Sequence, residues 1–221
     1  MGLQYHENQC LLLIQILKYV FRGDLNMTVI VDIDNVLNNF TETVLAHYNK
    51  DYNTNHKIED INRYSMEDAL NIPFHTLNKY FTSNRVLSEC IPIKDSQKYL
   101  KILNQMADVY IVTAREWTQL EHITDWFSKY FPFIEDRQII RCRDKHIIQG
   151  DIRIDDHLDN LLNCFGGRIV FDYPFNRNID DMSNFIYRAY NWKDCFSMTM
   201  LMLGFDSKTI IQYYDAENSD N

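Results

Sequence analysis

No stretch of this chain is apolar for long enough to cross a bilayer. The most apolar run, CLLLIQILKYVF at residues 10–21, is short and is interrupted by Gln15 and Lys18, so it reads as an amphipathic docking helix. The residues before it, MGLQYHENQ, hold no Lys or Arg, and no secretory signal is expected. His6 stands where N-myristoylation after Met1-Gly2 would want Ser or Thr. The five cysteines, Cys10, Cys90, Cys142, Cys164 and Cys195, are odd in number and form no C-x-x-C pair. That pattern points to buried, inert thiols in a reducing cytoplasm rather than to a secreted disulfide scaffold. Positive charge is also short, with 22 Lys plus Arg against 31 Asp plus Glu. This argues against sequence-independent binding to nucleic acid duplexes and leaves a small anionic ligand open. No internal repeat is found.

At 221 residues the chain is long enough for one α/β domain carrying an insertion. Its organising stretch is MTVIVDIDNVLNNF, residues 27–40. Val29, Ile30 and Val31 form a β-branched apolar run, the signature of a parallel strand covered on both faces. Asp32 and Asp34 come at the strand's end, the edge where open α/β sheets bind ligands. Two apart in extended chain, they face the same side. Like charges so close need a cation, a shared proton or a polar network, and magnesium suits such hard oxygen ligands. Alone, a D-x-D reads as a strand end with an Asx turn; residues farther along the chain change that reading.

Residues 1–26 read as an N-terminal extension, with Arg22-Gly23-Asp24 as a helix stop. Residues 41–92 lack a strand-then-helix rhythm and carry helical pieces at 41–50, 65–71 and 73–82 with many aromatics. They read as a small helical cap inserted after the first strand. From Asp95 the alternation becomes regular: a helix to about Ala107 capped by Asp95, then a strand at 109–112 ending at Thr113. A helix to about Phe131 opens on a Thr118/Glu121 capping box, and strands come next at 138–142, 151–155 and 168–172. Strands alternating with helices imply an α/β fold with a mostly parallel sheet covered on both faces. The tail at 215–221 is polar and expected to fray.

Four sites then fall at strand ends: Asp32/Asp34, Thr113-Ala114-Arg115, Lys145 and Asp155/Asp156. Each has an ordinary explanation, respectively an Asx turn, a strand-to-helix turn, a solvated lysine and a helix N-cap. Together they supply what phosphoryl transfer needs: an oxygen nucleophile, an acid/base, carboxylates for a metal, and a hydroxyl and an ammonium for phosphate oxygens. In this order the chain resembles the haloacid dehalogenase-like superfamily of phosphatases, and within it the 5'(3')-deoxyribonucleotidase family. The resemblance rests on VDIDNVLNNF, IVTARE, DKHIIQGDIRIDDHLDN, FDYPFNR (171–177) and YNWKD (190–194), and spans about residues 27–195.

The resemblance implies a Rossmann-like core from 27–40 and 93–214, the cap at 41–92, and a magnesium-dependent phosphomonoesterase. Its substrate would be a nucleoside monophosphate, in the cytoplasm, with a homodimer as a possible assembly. It implies that Asp32 attacks phosphorus to form an aspartyl-phosphate. Asp34 protonates the leaving oxygen and then deprotonates the hydrolytic water. Thr113 and Lys145 hold the phosphoryl group, with Arg115 either joining them or pairing with a surface acid. Magnesium would take Asp32, the Asp34 carbonyl and one acid of Asp155/Asp156, with Asp156 favoured. Phe40, Tyr64 and Phe81 are nominated for base or sugar contacts. Asn35 stands where many relatives have Gly, and Asn tolerates left-handed backbone. His157 reads as a solvated helix-start residue, Trp192 as packing, and Asn176-Arg177 as either a surface turn or a support for the site. Base preference and the choice of 5' or 3' ester are open. Other classes fit less well: a receiver domain places its Lys last, and an idle nucleotide-binding relative would lack a catalytic residue. A phosphatase for another small ester remains the nearest alternative, because specificity lies in the cap.

Overall fold

The computed structural model describes residues 27–178 and 185–215. The N-terminal extension, Cys10 and the tail beyond Asp215 lie outside the described residues. Six strands form one all-parallel sheet: β1 (Thr28–Val31), β2 (Asp108–Thr113), β3 (Ile139–Arg141), β4 (Ile152–Asp155), β5 (Gly167–Phe171) and β6 (Tyr187–Ala189). Their spatial order is β3-β2-β1-β4-β5-β6. The chain builds outward from β1 through β2 to β3, then returns to place β4 on the other side of β1. That reversal opens a crevice beyond the carboxyl ends of β1 and β4, the place where doubly wound sheets receive ligands.

The sheet is α/β in the Rossmann manner because its strands are apolar on both faces and need cover on both. Val29, Val31, Ile111, Ile152, Ile154 and Ile169 are buried with the helices α5 (Ser96–Met106), α6 (Leu120–Tyr130) and α8 (Trp192–Met202). On α5 the apolar stripe of Leu100, Leu103 and Met106 meets the sheet. The short α7 (Leu158–Leu162) covers Val170 and Ile186 through Leu161. The last helix is α9 (Ser207–Asp215). No helix among the described residues is long and apolar enough to cross a membrane.

Between β1 and α5 lie four helices: α1 (Phe40–Tyr52), α2 (Met66–Leu70), α3 (Phe74–Phe81) and α4 (Asn84–Glu89). They pack on one another around Val44, Tyr48, Ile61, Met66, Leu77 and Val86, a cluster separate from the sheet's core.

Several local expectations are corrected. Asp95 precedes α5 but adopts left-handed backbone, φ 67°, and makes no side-chain cap. Thr118 lies inside a 3-10 turn, Trp117–Gln119, and α6 begins after it at Leu120 with no side-chain cap from Gln119, so the Thr118/Glu121 capping box does not form. The strands expected at 138–142, 151–155 and 168–172 are each shifted or trimmed by a residue. The edge strand β6 and helix α4 were not expected at all.

Candidate active site

The site starts from β1. Asp32 is the next residue, and its amide continues the ladder by donating to the Ile154 carbonyl on β4 at 3.0 Å. Its Oδ1 accepts from the Ile33 amide at 2.7 Å and faces the Lys145 ammonium at 2.6 Å. Beyond it the chain turns tightly, with the amides of Val36, Leu37 and Asn38 all directed to the Ile33 carbonyl. Asn35 takes the left-handed conformation this turn needs, φ 61°. The Trp192 indole, buried at the start of α8, donates to the Val36 carbonyl at 2.7 Å, so the packing residue also pins the loop.

β4 delivers the second pair of acids, and their surroundings separate them. Asp155 accepts from Lys145 Nζ at 3.1 Å, from the His157 amide at 2.9 Å and from Asn160 Nδ2 at 2.9 Å. Asp156 instead lines the main cavity, accepting from Asn35 Nδ2 at 2.7 Å, while its backbone carbonyl accepts from Asn176 Nδ2 at 2.9 Å. Carboxylate oxygens of Asp32, Asp155 and Asp156 all lie within 4.8 Å of one another. Asn176 therefore supports the site, whereas Arg177 is exposed and paired with Asp172 at 2.8 Å.

β2 brings the third component. Thr113 is its buried last residue, with Oγ1 accepting from the Arg115 amide at 3.2 Å. Arg115 pairs with no surface acid: it is buried, and its NH2 donates to Asp34 Oδ1 at 2.6 Å. The same guanidinium lies over the Phe40 ring, 4.2 Å from its centroid.

Charge decides what this cluster can hold. Three buried carboxylates face one buried ammonium. Burial pushes the Asp32 carboxyl up to about 7, with Lys145 opposing and Asp155 and Asp34 reinforcing the rise. Burial likewise raises Asp156 well above the usual carboxylate range, and Asp32 and Asp155 add to it. At Lys145 burial pulls the other way, but the carboxylates outweigh it and the ammonium is held more firmly than usual. Two carboxyls that resist ionisation beside a fixed cation are what hard anionic ligands become when positive charge is short. A divalent cation among Asp32, Asp156 and the cavity suits this donor set, which is all oxygen.

Above the cluster opens a cavity of about 610 Å³ lined by Asp32, Asp34, Thr113, Lys145 and Asp156 at its polar end. Phe40, Tyr64 and Phe81, all nominated from sequence, line it with Phe74 and Phe175, which were not. The Phe40 and Phe81 rings are 6.0 Å apart. His157 is half-buried rather than solvated: its ring centroid is 3.6 Å from that of Tyr64, and burial lowers its pKa. Arg143 and Gln119 also line the cavity and were missed. Arg143, two residues before Lys145, was open to notice; Gln119, which donates to the Phe81 carbonyl at 3.2 Å, carried no sequence signal.

Solved structures share this fold. A haloacid dehalogenase-like protein from Agrobacterium tumefaciens aligns with a TM-score of 0.58 at 14% identity, covering 81% of this chain and 100% of its own. A hydrolase of the haloacid dehalogenase-like family from Streptococcus pneumoniae aligns with a TM-score of 0.56 at 11% identity, covering 78% and 97%. In sequence, the chain is 38% identical over 104 residues to a 5'(3')-deoxyribonucleotidase of Bacillus subtilis, 46% of this chain and 58% of that protein. The chain thus spans little more than half the length of that relative. A Staphylococcus epidermidis relative is 27% identical over 168 residues, 74% of this chain and 90% of its own. The sequence profile of the 5' nucleotidase, deoxy (pyrimidine), cytosolic type C proteins matches residues 26–203, and with that extent of match the chain belongs to this family.

Proposed function

We propose that the chain is a magnesium-dependent phosphomonoesterase that releases phosphate from deoxyribonucleoside monophosphates, with Asp32 as nucleophile. The observation that carries this reading is the Asp32 carboxylate, set between Lys145 and the Asp155/Asp156 pair at the floor of an aromatic-walled cavity. A cavity of this size and lining suits a small molecule with one anionic end and one flat apolar end. The relative named as a 5'(3')-deoxyribonucleotidase supports the same substrate class.

In the first half-reaction an Asp32 oxygen attacks phosphorus and the bond from phosphorus to the nucleoside oxygen breaks. Asp34, two residues on, gives that oxygen its proton. In the second, water attacks the aspartyl-phosphate, Asp34 takes the proton, and Asp32 is regenerated with release of phosphate. Thr113 Oγ1 and Lys145 Nζ hold the phosphoryl oxygens, and the ammonium offsets the charge that gathers there. Arg115 serves Asp34, holding the carboxylate by a charge-assisted bond. Magnesium, held by Asp32, Asp156 and the Asp34 carbonyl, would supply further compensation for phosphate charge. Residues 41–92 act as the cap that closes over base and sugar through Phe40, Tyr64 and Phe81. A reducing cytoplasm accords with the unbridged thiols of Cys90, Cys142, Cys164 and Cys195.

The test is phosphate release across nucleoside and sugar monophosphates, with and without magnesium, against Asp32→Asn. Nucleotide turnover that needs magnesium and vanishes in the variant is expected. Turnover confined to sugar phosphates would move the reading to another ester, and a fully active variant would end it.

A further inference from the structure

Arg153 occupies the middle of β4, two residues before Asp155, and is completely buried. Among the described residues no carboxylate pairs with it, and its register partners in the sheet are Ile30 and Arg168, neither acidic. Its Nε and NH1 have no hydrogen-bond partner among the described residues. NH2 is engaged, donating to the carbonyls of Lys145, at 3.1 Å, and Ile148. A central strand gains nothing in stability from such a residue, since a buried guanidinium without a counterion is costly.

Both carbonyls belong to one segment. The chain from β3 to β4 turns through a single 3-10 turn, Lys145–Ile147, too short to hold itself in place. Among the described residues its backbone is tied to the sheet's backbone near its ends, by the Cys142 amide to Thr113, the Asp151 amide to Thr28 and the Gly167 amide to the Asp151 carbonyl. Between those ties the Arg153 guanidinium grips the turn. β4 therefore carries the acids that face Lys145 and also the side chain that fixes the backbone of Lys145.

We infer that Arg153 is a positioning residue, a clamp from β4 to the Lys145–Ile147 turn that sets where the Lys145 ammonium stands against Asp32 and the bound phosphoryl group. Its catalytic consequence rests on the function proposed above; the clamp itself does not. Arg153→Met fills the same space without the donors. Its thermal midpoint should equal or exceed that of the wild type, because an apolar group of similar volume replaces an under-partnered charge. Amide exchange at Ile147 and Ile148 should quicken in it, inhibition by inorganic phosphate should weaken, and turnover should fall about 10- to 100-fold. Arg153→Lys, which keeps one donor, should recover part of each loss. A merely structural residue would lower the midpoint without selectively weakening phosphate inhibition.

Arg153→Met with slow exchange at both amides and turnover within twofold of wild type overturns the clamp. Should that variant not fold, the wild-type protein decides. Protection of Ile147 and Ile148 close to that of β4 supports the clamp, and protection no better than that of exposed loop amides overturns it. If the wild type hydrolyses no phosphate ester, the function falls, and the exchange comparison still decides the clamp.

Discussion

Asp34 and Arg115 are 81 positions apart, and their 2.6 Å contact is the least legible feature of the site. Spacing along a chain says which residues share a helix face or strand side, but not which loops meet. The sequence left Arg115 between phosphate and a surface acid; folding gave it a third partner. Removing that partner has a distinctive signature. Arg115→Met should lower turnover of nucleoside monophosphates about 10- to 100-fold, within the range attributed to general acid catalysis. Turnover of p-nitrophenyl phosphate, whose leaving group needs no proton, should fall far less, and parallel rate measurements on the two esters check this. Asn35 offers a second residue-scale test. Its amide holds Asp156, while its backbone needs only a residue at ease with φ 61°. Asn35→Gly suits the left-handed backbone and deletes two hydrogen bonds, the one to Asp156 and the one its Oδ1 accepts from the Thr41 amide at 3.0 Å, so magnesium affinity, read by titrating activity or by calorimetry, should weaken about 10- to 100-fold.

The elements divide by how much of their cause is local. β1 and β2 were readable because buried parallel strands need β-branched and aromatic runs, and VIV and VYIV supply them; β4 was readable from Ile152 and Ile154 despite Arg153 between them. The acids and Thr113 at their ends were readable for the same reason. By contrast β6 is a three-residue edge strand recruited by β5, and α4 is six residues long with a weak apolar pattern, so both depend on partners the sequence does not display. The 3-10 turn before α6 displaced the Thr118 cap, since Gln119 is turned toward Glu116 and Phe81 instead. α8 illustrates an element whose role extends past packing, because the Trp192 indole reaches the loop after Asp32. Trp192→Phe leaves the Val36 carbonyl buried without its donor. Urea unfolding should show a loss of about 1–3 kcal/mol, with lower turnover from a loosened loop after Asp32.

For the whole molecule, the acid cluster makes folding and pH interdependent. Asp32 and Asp156 have folded pKa values raised by burial. A carboxyl of this kind contributes most when protonated, so its contribution is lost as pH climbs from the unfolded value through the folded one. In the presence of a chelator the thermal midpoint should therefore drop as pH climbs from the ordinary carboxylate value near 3.8 to about 7. His157, with its lowered pKa, works against this trend below its ordinary value of 6.5, where its contribution is lost as pH falls, so the net drop sets two buried carboxyls against one imidazole. Under the proposed function the ionised carboxylates hold magnesium, so the ion at saturation should flatten the drop, and calorimetric scans with and without it read the difference. A midpoint that rises with pH in chelator would contradict the burial account. Across the central strands Val31 pairs with both Ile111 and Ile154. That ladder acts as a ruler: slippage by a single rung would carry Asp32 roughly 3.3 Å along its axis and turn it to the opposite side. Distances among groups contributed by remote stretches of chain are thus calibrated by main-chain bonding common to any sequence, which frees the overlying helices to diversify while the reacting atoms keep their spacing.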